Sequence, residues 1–198
     1  MFLILKCIFS SLIFFKSGQI ICRILKIQSN KLDFCIIAFL GLIFISFVAL
    51  ASNFFISLNN HLNTIYFCLI LSYFFFDKDI RVKQIIITGL IASLILFLAK
   101  TNNPDGGLYH LPYTQILNEH KIIFGLNNLH FRFALTTLFQ YSGAIFNNIF
   151  LGVEGVNIPT ALVVSFFLFF LTSEIIKIIK NKKIKNYIPL VFFILLLL

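Results

Sequence analysis

Hydrophobic positions fall into six blocks along this chain, separated by short polar intervals and one long one. The first block fills residues 1–15 apart from Lys6, Ser10 and Ser11, and continues to about Cys22. The clearest covers 34–52, about the 20 residues that a helix needs to cross the apolar core of a bilayer. Blocks over 62–76, 85–98 and 161–176 follow, each predicting a membrane helix. The last, over 188–198, is too short to cross and stops in LLLL without a polar cap, the pattern of a chain truncated at its C-terminus. The fold class expected is all-α: a polytopic transmembrane protein of about six membrane helices.

Composition supports that class. The 198 residues are 60% hydrophobic and only 12% charged, against about 45–50% and about 25% for a soluble domain. No signal peptide is expected, because charge follows the first apolar block and no Ala-x-Ala site comes after it. The formal charge of +9 sits mostly in clusters between blocks: Lys16, Arg23, Lys26 and Lys31; then Lys78, Arg81 and Lys83; then KIIKNKKIK. That distribution marks cytoplasmic loops and excludes nucleic acid as partner, since phosphate tracking needs a basic face in water. Lys16 is expected to snorkel to the interface, as is Lys100 on the far side.

Residues 134–151 are ambiguous. They are apolar enough to suggest a span, yet Thr136, Thr137, Gln140, Tyr141, Ser142, Asn147 and Asn148 are costly in hydrocarbon. If the segment crossed, KIIKNKKIK would land outside. An amphipathic helix along the outer interface keeps that cluster inside, so 101–158 is expected to form one extracytoplasmic loop region within a single membrane domain. A re-entrant segment is the variant left open.

Chemistry concentrates in 101–132. Asn102-Asn103-Pro104-Asp105-Gly106-Gly107 is a turn signal that presents Asp105 at the mouth of the preceding helix. Pro112 suits a helix first turn and predicts a surface helix over 113–123. Tyr113, Ile116, Leu117 and Ile123 would share its apolar face, with Gln115, Asn118 and Glu119 turned to water and Gly125 ending it. An acid at a water–membrane boundary beside His and Arg suits a general base acting on a hydroxyl while cations hold a phosphate. Two other readings stay open: His110, His120 and His130 with Asp105 and Glu119 as metal ligands, although their spacing is no zinc signature, and a purely structural loop. Elsewhere His61 reads as a solvated loop residue and Asp77 with Asp79 as a solvated turn. Cys7, Cys22, Cys35 and Cys68 read as small hydrophobes, with no CxxC pair.

The string Asp105-x-Gly107-Leu108-Tyr109-His110-Leu111-Pro112, followed by Gly125-Leu126-x-Asn128-Leu129-His130-x-Arg132-Phe133, resembles the signature loop of bacterial polytopic membrane proteins similar to the GT-C membrane glycosyltransferases. The resemblance implies inverting sugar transfer from a polyprenyl-phosphate-linked donor to an extracytoplasmic glycan or lipid acceptor. It implies a multi-pass protein of the bacterial inner membrane working in cell-envelope glycan synthesis. Asp105 is then the catalytic base, and Tyr109, His110, Glu119, His130 and Arg132 the substrate-binding residues. No cofactor is implied, with a divalent metal left open. The alternatives are a transporter or flippase of lipid-linked glycans, or a structural membrane subunit. The near absence of charge within the spans favours an enzyme over a transporter.

Overall fold

The computed structural model of the chain describes residues 2–77, 79–99, 107, 110–128, 131–134 and 137–181, and of residues 132, 134 and 178–181 the backbone alone. The described residues are helical without strands. Long apolar blocks between basic loops become α1 (Phe2–Ile24), α2 (Phe34–Asn53), α3 (Asn60–Ser72), α4 (Val82–Leu98) and α7 (Ile158–Asn181), and the loop region contributes the nine-residue helices α5 (Leu111–Glu119) and α6 (Leu138–Phe146). Asp33 caps α2 by accepting from the Cys35 N–H, and Asn59 caps α3 by accepting from the Leu62 N–H. Among the described residues, three stretches are long and apolar enough to cross a membrane, namely Phe2–Ile24, Phe34–Asn53 and Val153–Lys177, and the block over 188–198 lies outside the described residues. This is a helical membrane protein, and α3 and α4 run between the same two ends as those three.

The frame is the α1–α2 pair, which cross backbone to backbone. A Cβ on Gly41 would lie 1.9 Å from the Phe14 carbonyl oxygen, and one on Gly18 only 1.8 Å from that of Ile37. Without a hydrophobic drive between helices in lipid, small residues that permit such approach supply the packing energy. Phe14, halfway along α1, is fully buried and stacks on Phe146 at 4.8 Å, while Phe146 meets Phe67 of α3 edge-on at 5.1 Å. On the other side of α1, the buried Ser11 hydroxyl bonds Thr88 of α4 at 2.8 Å.

The two ends of the bundle are closed by different chemistry. At one, cations hold loop carbonyls. The Lys16 ammonium donates to the Asp77 and Asp79 carbonyls at 2.9 and 2.8 Å and lies 4.5 Å from the centre of the Phe74 ring. The Arg81 guanidinium donates to the Leu32 and Ser29 carbonyls, and Lys177 lies 3.7 Å from Asp33. Lys16 therefore does not snorkel: it is fully buried, because Asp77 and Asp79 bring their carbonyls to it. Asp77 and Asp79 form a turn, Asp77 accepting from the Asp79 N–H.

The opposite end is closed by asparagine amides. Asn63 Nδ2 donates to the carbonyls of Leu58, Ala144 and Asn147 at 2.8, 2.9 and 2.7 Å. Asn118 Nδ2 donates to Leu58 and Ala144, and its Oδ1 accepts from Asn147 Nδ2. Asn53 Nδ2 reaches the Leu117 and His120 carbonyls that end α5. Asn118 is thus buried rather than turned to water. The described residues of 137–151 likewise do not lie as one amphipathic helix on the surface. Their helix, α6, rises only about 13 Å, short of the roughly 30 Å needed to cross, and every residue from Tyr141 to Phe146 is buried. It enters the bundle end-on because Asn63 and Asn118 satisfy carbonyls that hydrocarbon would leave bare.

Two substitutions test this account by thermal unfolding in detergent. Gly41→Val is expected to destabilise by about 3 kcal/mol or more, whereas Gly107→Ala, where a Cβ meets nothing within 4 Å, stays within about 0.5 kcal/mol. Asn63→Leu strips one donor from three carbonyls and is expected to cost about 1–3 kcal/mol, while the exposed Asn60→Ala changes little. Equal melting temperatures for Asn63→Leu and the native protein would remove the amide network from the fold's supports.

Candidate functional site

A cleft of about 980 Å³ opens at the asparagine end, between the last turn of α4 and the first turns of α5, α6 and α7. Local chemistry sets each wall. Pro112 sits in the first turn of α5, where its missing N–H costs nothing, and the Thr114 hydroxyl donates back to the His110 carbonyl. Thr137 begins α6 in a capping box, its N–H donating to Gln140 Oε1 at 3.1 Å. The turn Val153–Asn157 leads into α7 and packs on α6 through Gly155, where a Cβ would lie 2.1 Å from the Phe146 carbonyl oxygen. Lys6 steadies that turn, donating to the Leu151 carbonyl and to Glu154.

The lining is amphipathic. Ile95, Leu96, Phe139 and Val164 supply apolar surface, and Thr114, Thr137, Gln140, Asn157 and Thr160 polar groups. His110 is the one titratable side chain on the cleft among the described residues. Its Nδ1 lies 3.5 Å from Gln140 Nε2, the outer limit of a hydrogen bond. Behind the cleft Tyr141 is buried, and burial first, then the hydrogen-bonded Tyr113, pushes its phenol well up from the usual value. Three helices start at this cleft, and their dipoles favour an anionic group there.

Of the residues expected to form a site, His110 lies on the cleft. Glu119 does not: it is exposed at the far end of α5, bonded to Gln115 at 2.8 Å. Asp105, Tyr109 and His130 lie outside the described residues, as does the side chain of Arg132. His120 and His61 are exposed. No group of three His, Cys, Asp or Glu close enough to hold a metal exists among the described residues. Thr114, Thr137, Gln140, Asn157 and Thr160 were not singled out from sequence as site residues. They come from three separate helices and form no local motif. The T-x-x-Q capping pattern at 137–140 was the one legible signal, and it reports a helix start, not a ligand.

Comparison with curated proteins and with solved structures found no match in either set. The model of one family, described as a domain of unknown function (DUF8201), matches residues 1–198. With its whole length covered, the chain belongs to the DUF8201 family.

Proposed function

We propose that this domain is the membrane portion of a GT-C-like glycosyltransferase of the bacterial inner membrane, moving a sugar from a polyprenyl-phosphate donor to an extracytoplasmic acceptor. The observation that carries the reading is the cleft: a lining of both apolar and polar side chains, at the mouth of membrane helices, with three helix starts to receive a phosphate. A lipid-linked sugar needs both surfaces at once. The donor's isoprenoid chain lies against Ile95, Leu96 and Val164, its phosphate faces the helix starts, and the acceptor enters from water.

In this reading α1, α2 and α7 cross the membrane, with α3 and α4 completing the crossings. Arg23, Lys26, Lys31, Arg81, Lys83 and Lys177 gather at one end of the bundle, which favours that end as cytoplasmic. The cleft then faces outward. Asp105 takes the proton of the acceptor hydroxyl as its oxygen attacks the anomeric carbon, and the bond to the donor phosphate breaks with its electron pair leaving on the phosphate. His110 and Arg132 meet that phosphate, Arg by paired contacts, and Tyr109 and His130 flank the sugar. The transporter reading is separated by the same assay, since a flippase moves the labelled lipid without consuming it.

Two experiments test the proposal. Single cysteines at Glu119 and at Lys31, in the complete protein freed of native cysteines, meet a membrane-impermeant thiol reagent: Glu119→Cys is expected to react in intact cells and Lys31→Cys only after permeabilisation. The reverse pattern overturns the orientation. In purified protein supplied with labelled sugar-lipid, Asp105→Asn is expected to lose about 10²–10⁴-fold in turnover. His110→Ala is expected to lose about tenfold, the scale of one weakened phosphate contact, while Glu119→Gln stays near native because Glu119 lies off the cleft. Native turnover in Asp105→Asn would remove Asp105 from the mechanism.

A further inference from the structure

A second pocket, of about 670 Å³, opens at the basic end between the C-terminus of α1, the 26–31 loop and the turn after α3. Arg23, Lys26 and Lys31 line it together with Tyr73 and Asp77, and Gln19 forms part of its wall. Of the other cations at this end, Lys16 and Arg81 hold carbonyls, and Lys177 pairs with Glu174 at 2.6 Å. Arg23, Lys26 and Lys31 have no carboxylate partner among the described residues; Arg23 lies instead 5.9 Å from the ring centres of both Tyr73 and Phe76. Set against Asp77, the pocket carries an excess of positive charge.

Two further observations point to a ligand. Gln19 is 1% exposed, and while its Nε2 donates to the Asp79 carbonyl at 3.3 Å, its Oε1 has no partner. A buried acceptor left bare is costly, and Gln19 lines the pocket, so a donor from a bound group has a place there. Lys26 is the one non-glycine residue with positive φ among the described residues, at +56°. It closes α1 in a Schellman turn, with the Lys26 N–H donating to Arg23 and the Ile27 N–H to Cys22. Glycine is the residue that position favours, so lysine there trades backbone comfort for a charge at the pocket mouth.

We propose that this pocket binds the headgroup of an anionic phospholipid of the phosphatidylglycerol type. Arg23, Lys26 and Lys31 take the phosphodiester, as basic pockets between membrane helices do on a cytoplasmic face, and a headgroup hydroxyl donates to Gln19 Oε1. The positive excess selects against a headgroup bearing its own ammonium. Exposed Ile24, Leu25, Ile27 and Phe76 border the site and offer the acyl chains an apolar surface that free phosphate would not use. The site is separate from the cleft and does not depend on the transferase reading.

Native mass spectrometry of the complete protein, titrated with phosphatidylglycerol, phosphatidylcholine or inorganic phosphate, tests it. Phosphatidylglycerol is expected to bind roughly tenfold more tightly than phosphatidylcholine, and Lys26→Gly to weaken it about fivefold, one basic contact's worth. The same variant should melt no lower than the native protein, since glycine relieves the left-handed turn. Gln19→Met should narrow the preference between the two lipids. Equal binding of both lipids, or unchanged binding in Lys26→Gly, overturns the proposal. Displacement of phosphatidylglycerol by millimolar inorganic phosphate would assign the pocket to a soluble anion instead.

Discussion

A helix that stops inside an apolar environment exposes carbonyl oxygens that no water can reach, and this fold is arranged around meeting that demand. Ala144, at the buried end of α6, receives hydrogen bonds from both Asn63 and Asn118. Leu117, near the end of α5, receives one from the Leu58 N–H and another from Asn53. Each amide reaches across from a different helix, so the short helices and the long ones hold each other in register. Without those donors α5 and α6 would have to lie in water or extend into full crossings, and the cleft at their starts would not exist.

The glycine crossing of α1 and α2 complements this. Direct backbone contact leaves no slack for the pair to slide, so Phe14 and Phe67 present a set surface to Phe146. The tip of α6 is thereby located by aromatic packing and its last carbonyls by amides. Its start, with Thr137 and Gln140, is then carried to the cleft beside His110. A site assembled from helix starts needs rigid helices behind it, and here the rigidity comes from close backbone approach and from amide donors that meet the helix-end carbonyls, with Lys6 holding the turn before α7.

Charge does the corresponding task at the other end. Lys16 and Arg81 take four loop carbonyls between them, so loops that basic composition alone would leave in solvent are drawn onto the bundle. The two ends thus differ in what they offer: one an amphipathic cleft with neutral polar groups, the other a cationic pocket whose arginine and lysines are not consumed by the fold.

Hydropathy by itself determined the class of this protein. The blocks over 34–52 and 161–176, and the basic loops between blocks, are local features whose cost in water or in lipid is summed along the chain, so they need no partner to be read. Pro112 at a helix start was legible for the same reason. Only the tertiary structure decided what the polar residues within apolar stretches do. Asn118 read as water-facing and Asn147 and Asn148 as a burden in hydrocarbon, because in isolation an amide has no partner but solvent. Folding brings Leu58 and Ala144 to Asn118 and the Asp77 and Asp79 carbonyls to Lys16, and a polar group's energy depends on the neighbour it meets, which lies tens of residues away in the chain.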